Sequence, residues 1–132
     1  QMMREAGVAA QEVVAVGLAT PGTMDITRGM LLQPHNLPHW WDFGIQDYLR
    51  QVCQKPVSFA NDANAAAFGE YWVGSGTEHH SIVLFTLGTG VGGGIIIGDF
   101  SLDGENSHGG ELGHVIIDYN DTHSDITRGV RQ

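Results

Sequence analysis

A chain of 132 residues is the size of one ordinary domain and long enough to bury a core. Hydrophobic residues make up 42% of it, yet no run approaches the ~20 consecutive apolar residues of a membrane span, which excludes a transmembrane helix. Fifteen acidic against six basic side chains give a net charge of −9, which argues against binding of nucleic acid or an anionic membrane by this segment. The opening QMMREAGVAAQE has no signal-peptide pattern, and a cytoplasmic location is expected. Cys53 is solitary and sits in a helical pattern, so it reads as a small core residue rather than part of a disulfide framework. The first residues read as the tail of a helix, and the last fifteen, from Asp118, complete no element. The chain therefore reads as an internal piece of a larger protein.

In chain order, Met3–Glu12 can form a short helix interrupted by Gly7. Val13–Ala19 (VVAVGLA) is a continuous apolar run, expected as a strand buried on both faces in a parallel sheet. It ends in the turn Thr20-Pro21-Gly22-Thr23, at the carboxyl end of a strand, where α/β folds place ligands. Met30–Leu32 reads as a short strand and QPHNLPHWW (33–41) as a polar, aromatic loop. Ile45, Tyr48, Leu49, Val52 and Cys53 are spaced as one helical face, closed by Lys55-Pro56. Val57–Ala60 is another short strand. The segment Asn61–Trp72, with Ala63 and Ala65–Ala67 before Phe68, Tyr71 and Trp72, predicts a helix able to pack closely.

After a loop at 74–80 comes SIVLFTLGTGVGGGIII (81–97), two apolar runs expected as buried strands around a glycine-dense stretch. Gly88, Gly90, Gly92, Gly93 and Gly94 lack a Cβ, so the backbone there can take positive φ and lie against a ligand. A strand, glycine turn and strand offer a cradle of backbone N–H groups for phosphate, and five glycines in seven residues exceed what a plain hairpin turn needs. The stretch is neither a P-loop, since no Gly-Lys-Ser/Thr follows, nor a dinucleotide fingerprint, since strand rather than helix follows the glycines. No Lys or Arg lies between Lys55 and Arg128, so bound phosphates would be neutralised by backbone N–H groups and a divalent cation, Mg²⁺ by preference. A turn-rich segment (98–110) follows, and Glu111–His114 is expected to open a last strand, Val115–Asp118. Strands and helices alternate, which gives an α/β class.

Three groups of residues carry candidate chemistry. Asp62, within Asn61-Asp62-Ala63-Asn64, stands where a strand ends and a helix begins. A carboxylate held there by helix N–H groups can take a proton from a substrate hydroxyl, and the same position equally suits an N-cap. Three Asn or Asp residues in four exceed what one cap needs. Glu111 and His114 suit a sugar, because a carboxylate accepts hydrogen bonds from two vicinal hydroxyls and an imidazole adds a further donor or acceptor. A surface glutamate and a satisfied strand histidine are the plainer alternative. Asn36 is either a turn residue or a hydroxyl partner, and Trp40 and Trp41 can stack on a sugar face or serve packing.

Five segments in this order resemble the ROK family of repressors and sugar kinases, and within it the kinases of glucokinase type. They are Gly17-Leu18-Ala19-Thr20-Pro21-Gly22, Pro34-His35-Asn36-Leu37-Pro38, Asn61-Asp62-Ala63-Asn64-Ala65-Ala66, Leu87–Gly94 and Gly110-Glu111-Leu112-Gly113-His114. The resemblance implies an actin-like ATPase (ribonuclease H-like) α/β fold, with residues 1–60 and 61–132 as incomplete parts of two lobes around a cleft. It implies phosphorylation of a hexose at the 6-hydroxyl by ATP with Mg²⁺, with glucose first and fructose, N-acetylglucosamine or N-acetylmannosamine as alternative substrates. Asp62 would be the general base; Gly22, Asn36, Asn61, Glu111 and His114 would hold the sugar; Thr89, Gly90, Gly92 and Gly93 would meet the nucleotide phosphates. A homodimer is implied as well. The family's N-terminal Asp-x-Gly-Gly-Thr type motif lies outside this sequence. Its cysteine cluster after the histidine is replaced by DYNDTH (118–123), so zinc at His114 is not expected. Two further readings stand beside the kinase: the sugar-sensing body of a repressor, and an actin-like scaffold without catalysis.

Overall fold

The structure is a computed structural model that describes residues 2–34, 37–88 and 90–115. The chain divides into two compact units, residues 1–60 and 61–132. In the first, a short helix α1 (Met2–Glu5) precedes β1 (Val16–Thr20), β2 (Met24–Asp25), β3 (Met30–Leu31), helix α2 (Ile45–Cys53) and β4 (Val57–Asn61). β1 pairs with β4, and β2 with β3 as a small antiparallel ladder. The core of this unit is Met24, Leu31, Ile45 and Phe59, with Leu18, Ile26 and Phe43 packed against it.

Several expectations change here. The first helix stops at Glu5 instead of Glu12; Gly7 follows at φ +67, a left-handed conformation that ends a helix. β1 begins at Val16, and it is not buried on both faces. Among the described residues its only strand neighbour is β4, so Val16 and Leu18 are half-buried while Gly17 and Ala19 are exposed. On α2 only Ile45 is buried; Tyr48 and Val52 of the same apolar stripe stand exposed, and Cys53 is half-buried.

In the second unit, helix α3 (Asp62–Val73) packs on the antiparallel hairpin of β5 (Ser81–Leu87) and β6 (Val91–Ile97). β7 (Phe100–Ser101) extends that sheet beside β6. The small residues of α3 explain the closeness: Ala63, Asn64 and Ala67 are its buried positions, and they meet the glycines of β6. A Cβ at Gly94 would lie 2.6 Å from Ala67 Cβ, and one at Gly92 would lie 3.3 Å from Ala63 Cβ. After α3 the chain turns on Glu70, whose Oε2 accepts from both the amide and the hydroxyl of Ser75 at 2.9 Å, holding its carboxyl below the usual carboxylate range.

β5 is not the fully buried strand expected from its apolar run. Ile82, Leu84 and Thr86 are half-buried, but Val83, Phe85 and Leu87 alternate with them as exposed residues, since α3 covers one face of the sheet. Glu111–His114 is not itself extended. Leu112–His114 is a single 3₁₀ turn, and the expected strand lies outside the described residues beyond Val115. Among the described residues, no helix is long and apolar enough to cross a membrane.

Candidate active site

In the first unit, the turn after β1 meets the loop after β3. Gly22 takes φ +90, and a Cβ there would lie 2.8 Å from Pro34 Cα, so both backbone conformation and close approach demand glycine. Thr23 fixes the neighbouring strand ends: its carbonyl accepts from Leu32 N at 3.0 Å and its hydroxyl from Gln33 N at 3.1 Å. Two segments ten residues apart are thereby joined, with Gly22 against the proline that leads toward Asn36. Asn36 itself lies outside the described residues. Trp40 packs edge-on against Phe43, with ring centroids 5.7 Å apart, and both Trp40 and Trp41 are exposed.

In the second unit, the helix cap falls to one of the three polar residues. Asn61 is the N-cap, and its Oδ1 accepts from Ala63 N at 2.9 Å and Asn64 N at 3.3 Å. Asp62 is therefore not needed as the cap. It is the first helical residue, exposed, with Oδ1 accepting from Ala63 N at 2.9 Å. A carboxylate at a helix N-terminus is favoured by the unpaired N–H groups and the helix dipole. Capping uses only the oxygen of Asn61, so its Nδ2 is a donor the cap does not consume.

Glu111 and His114 are brought together across the 3₁₀ turn, His114 Nε2 lying 3.5 Å from Glu111 Oε2 with both side chains about half exposed. An acceptor carboxylate beside an imidazole can engage neighbouring hydroxyls of a polyol. The turn is seated on β6: a Cβ at Gly93 would lie 2.7 Å from Leu112 Cδ1.

The glycine stretch divides into two kinds. Gly88 and Gly90 sit at the hairpin tip, joined by a hydrogen bond from Gly88 N to Gly90 O at 3.0 Å, with open space where a Cβ would point. Thr89 between them lies outside the described residues. Gly92, Gly93 and Gly94 are strand residues whose missing side chains make room for Thr86, Leu112 and Ala67. None of these five glycines takes the positive φ anticipated for a cradle. For the strand three, glycine answers a need for close packing of helix and 3₁₀ turn on the sheet.

The motif Asn61-Asp62-Ala63-Asn64 by itself assigns Asn64 no role. Asn64 is 4% exposed, and its Nδ2 donates to Asp103 Oδ1 at 3.0 Å. The signal was present in the surplus of polar residues beyond one cap. Its partner Asp103, thirty-nine positions away, carried none. Among the described residues no three His, Cys, Asp or Glu side chains gather as metal ligands.

A family model described as the ROK family matches residues 1–126. The chain belongs to the ROK family. It is 40% identical over 110 residues to a glucokinase of Thermotoga maritima, covering 83% of this chain and 35% of that protein. It is 31% identical over 108 residues to a xylose repressor of Bacillus spizizenii, covering 82% of this chain and 28% of the repressor. A solved ROK glucokinase from Streptomyces griseus, in complex with glucose and AMPPNP, superposes with a TM-score of 0.71 at 37% identity over 89% of this chain and 38% of that one. The fold is accordingly the actin-like ATPase α/β fold of the ROK sugar kinases. The chain spans about a third of the length of the relatives it matches.

Proposed function

We propose that this ROK protein is an ATP-dependent hexose kinase of glucokinase type, acting at the sugar 6-hydroxyl with glucose as first candidate. The observation that carries the reading is the division of labour at α3: Asn61 caps the helix, and Asp62 is left as an exposed carboxylate in the same unit as the Glu111–His114 pair. In this reading Asp62 takes the proton from the 6-hydroxyl while that oxygen attacks the γ-phosphorus of ATP, the bond to the bridging oxygen breaks, and ADP leaves. Asn36, Asn61 Nδ2, Glu111 and His114 hold the sugar hydroxyls, with Gly22 at close approach. Thr89 and Gly90 at the hairpin tip, with Gly92 and Gly93 beside it, meet the phosphates. In this reading residues 1–60 belong to an N-terminal lobe and residues 61–132 to a C-terminal lobe.

No Lys or Arg is available along residues 56–127, so neutralisation of phosphate charge falls to backbone N–H groups and Mg²⁺. Mg²⁺ commonly takes one or two carboxylates together with phosphate oxygens and water, so it needs no dedicated protein cage. In this reading the ion would supply charge neutralisation at the phosphates.

The test is ADP release with Mg-ATP across a panel of hexoses, using the full-length protein and its Asp62→Asn variant. Sugar-dependent release is expected, with loss of about 10²–10⁴-fold in kcat in the variant, the usual contribution of a general base, while sugar affinity persists. Near-normal turnover in Asp62→Asn would remove it as the base. Similarity to a xylose repressor supports a second reading, a sugar sensor without catalysis. Sugar binding that raises the melting temperature with no ADP release from any hexose would favour it.

A further inference from the structure

We propose that Asn64 and Asp103 are positioning residues that fix the distance between the base-bearing end of α3 and the Glu111–His114 pair. The inference rests on the kinase reading above. Asn64 lies in the first turn of α3, two residues beyond Asp62, and is almost wholly buried. Its amide reaches the segment between β7 and the 3₁₀ turn at both ends. At the start, Nδ2 donates to Asp103 Oδ1 at 3.0 Å, and Ser101 Oγ donates to the same oxygen at 2.9 Å. At the end, Gly110 lies so close that a Cβ there would be 2.7 Å from Asn64 Oδ1. Between the two ends, Gly109 N closes the loop onto Asp103 O at 2.7 Å. The residue after Gly110 is Glu111. One side chain thus ties Asp62's turn to the loop that delivers Glu111.

Stability alone is a poor reason for this amide. Asn64 Oδ1 is buried with no hydrogen-bond partner among the described residues, a desolvation cost that an apolar side chain would avoid. The flipped amide would aim its oxygen at the Asp103 carboxylate, so the orientation with Nδ2 toward Asp103 is the one that chemistry permits. What the amide supplies is a directed, charge-assisted link between two segments that each carry a candidate site residue.

The test uses steady-state kinetics on the full-length enzyme, with hexose affinity measured in parallel by calorimetry. Asp103→Ala and Asn64→Asp, the latter setting two carboxylates against each other, should each raise the hexose KM about tenfold or more and lower kcat. The nucleotide KM should stay within about twofold. Asp103→Asn, which keeps an acceptor oxygen, should lose no more than about threefold, and the exchange Asn64→Asp with Asp103→Asn should recover most of the Asn64→Asp loss. Recovery in the exchanged pair supports the strut. Additive losses without recovery, or variants that only melt earlier with hexose KM unchanged, would overturn it. A parent protein that binds hexose but releases no ADP refutes the kinase reading, and the strut is then decided on the same pattern of hexose affinities. A parent that binds no hexose refutes both.

Discussion

Replacing Gly94 with alanine separates packing from phosphate binding as the reason for the glycines. A Cβ at this buried β6 position would lie 2.6 Å from Ala67 Cβ, 2.9 Å from Ala63 O and 3.1 Å from Asn64 Cα. Two of those three neighbours belong to the helix backbone and cannot rotate away, and carbon atoms rest at about 3.5–4.0 Å. Relief therefore means moving α3 off the sheet. Overpacking of this kind costs about 1–3 kcal/mol, and with rigid neighbours the upper part of that range applies. Restricting the unfolded chain returns about 0.4–1 kcal/mol, leaving a net loss of about 2 kcal/mol. At about 2–4 °C per kcal/mol, the melting temperature should fall by about 4–8 °C.

The matched control is Gly88→Ala, where nothing lies within 4 Å of the new Cβ and φ is not positive. Its melting temperature should be unchanged, whereas nucleotide affinity, read by titration with a non-hydrolysable ATP analogue, should weaken if the tip lies against phosphate. Adding Ala67→Gly to Gly94→Ala should recover only part of the loss, because the two backbone contacts remain and a mid-helix glycine costs about 1 kcal/mol. A Gly94→Ala protein melting within about 1 °C of the parent would refute the packing account.

Gly22→Ala should destabilise by about 1–3 kcal/mol, since it combines positive φ with a Cβ 2.8 Å from Pro34 Cα, and should show as an earlier thermal transition; an unchanged transition would mean that the turn is free to rearrange. The Glu70–Ser75 turn is sensitive to acid. The folded state lowers the Glu70 pKa through hydrogen bonds from the Ser75 amide and hydroxyl, so this contribution is present above the ordinary glutamate value of about 4.3 and is lost as pH falls through the folded value. Protection of the Ser75 amide against hydrogen exchange should therefore fall as the pH drops below the ordinary glutamate range, and Glu70→Gln should flatten that dependence. A dependence of the same steepness in Glu70→Gln would assign it to other carboxylates.

The α/β class, the helices α2 and α3, the strands that flank them and the five segments that place the chain in the ROK family are legible in the sequence alone. Each rests on local signals: apolar periodicity, turn residues, and glycine or carboxylate motifs whose order along the chain is itself distinctive. Three things were left to tertiary structure. Whether Asn61 or Asp62 caps α3 depends on which side chain meets Ala63 N and Asn64 N, because both residue types suit the position. Why β6 carries three successive glycines depends on Ala63, Ala67 and Leu112 pressing on it, which no property of the strand alone reveals. Asn64 meets Asp103 across thirty-nine residues, and a contact of that span exists only once α3, the hairpin and the 103–110 loop have packed. Local patterns record the energies of neighbouring residues, whereas the fit of a buried amide or a missing Cβ is settled by atoms that only the folded chain brings close.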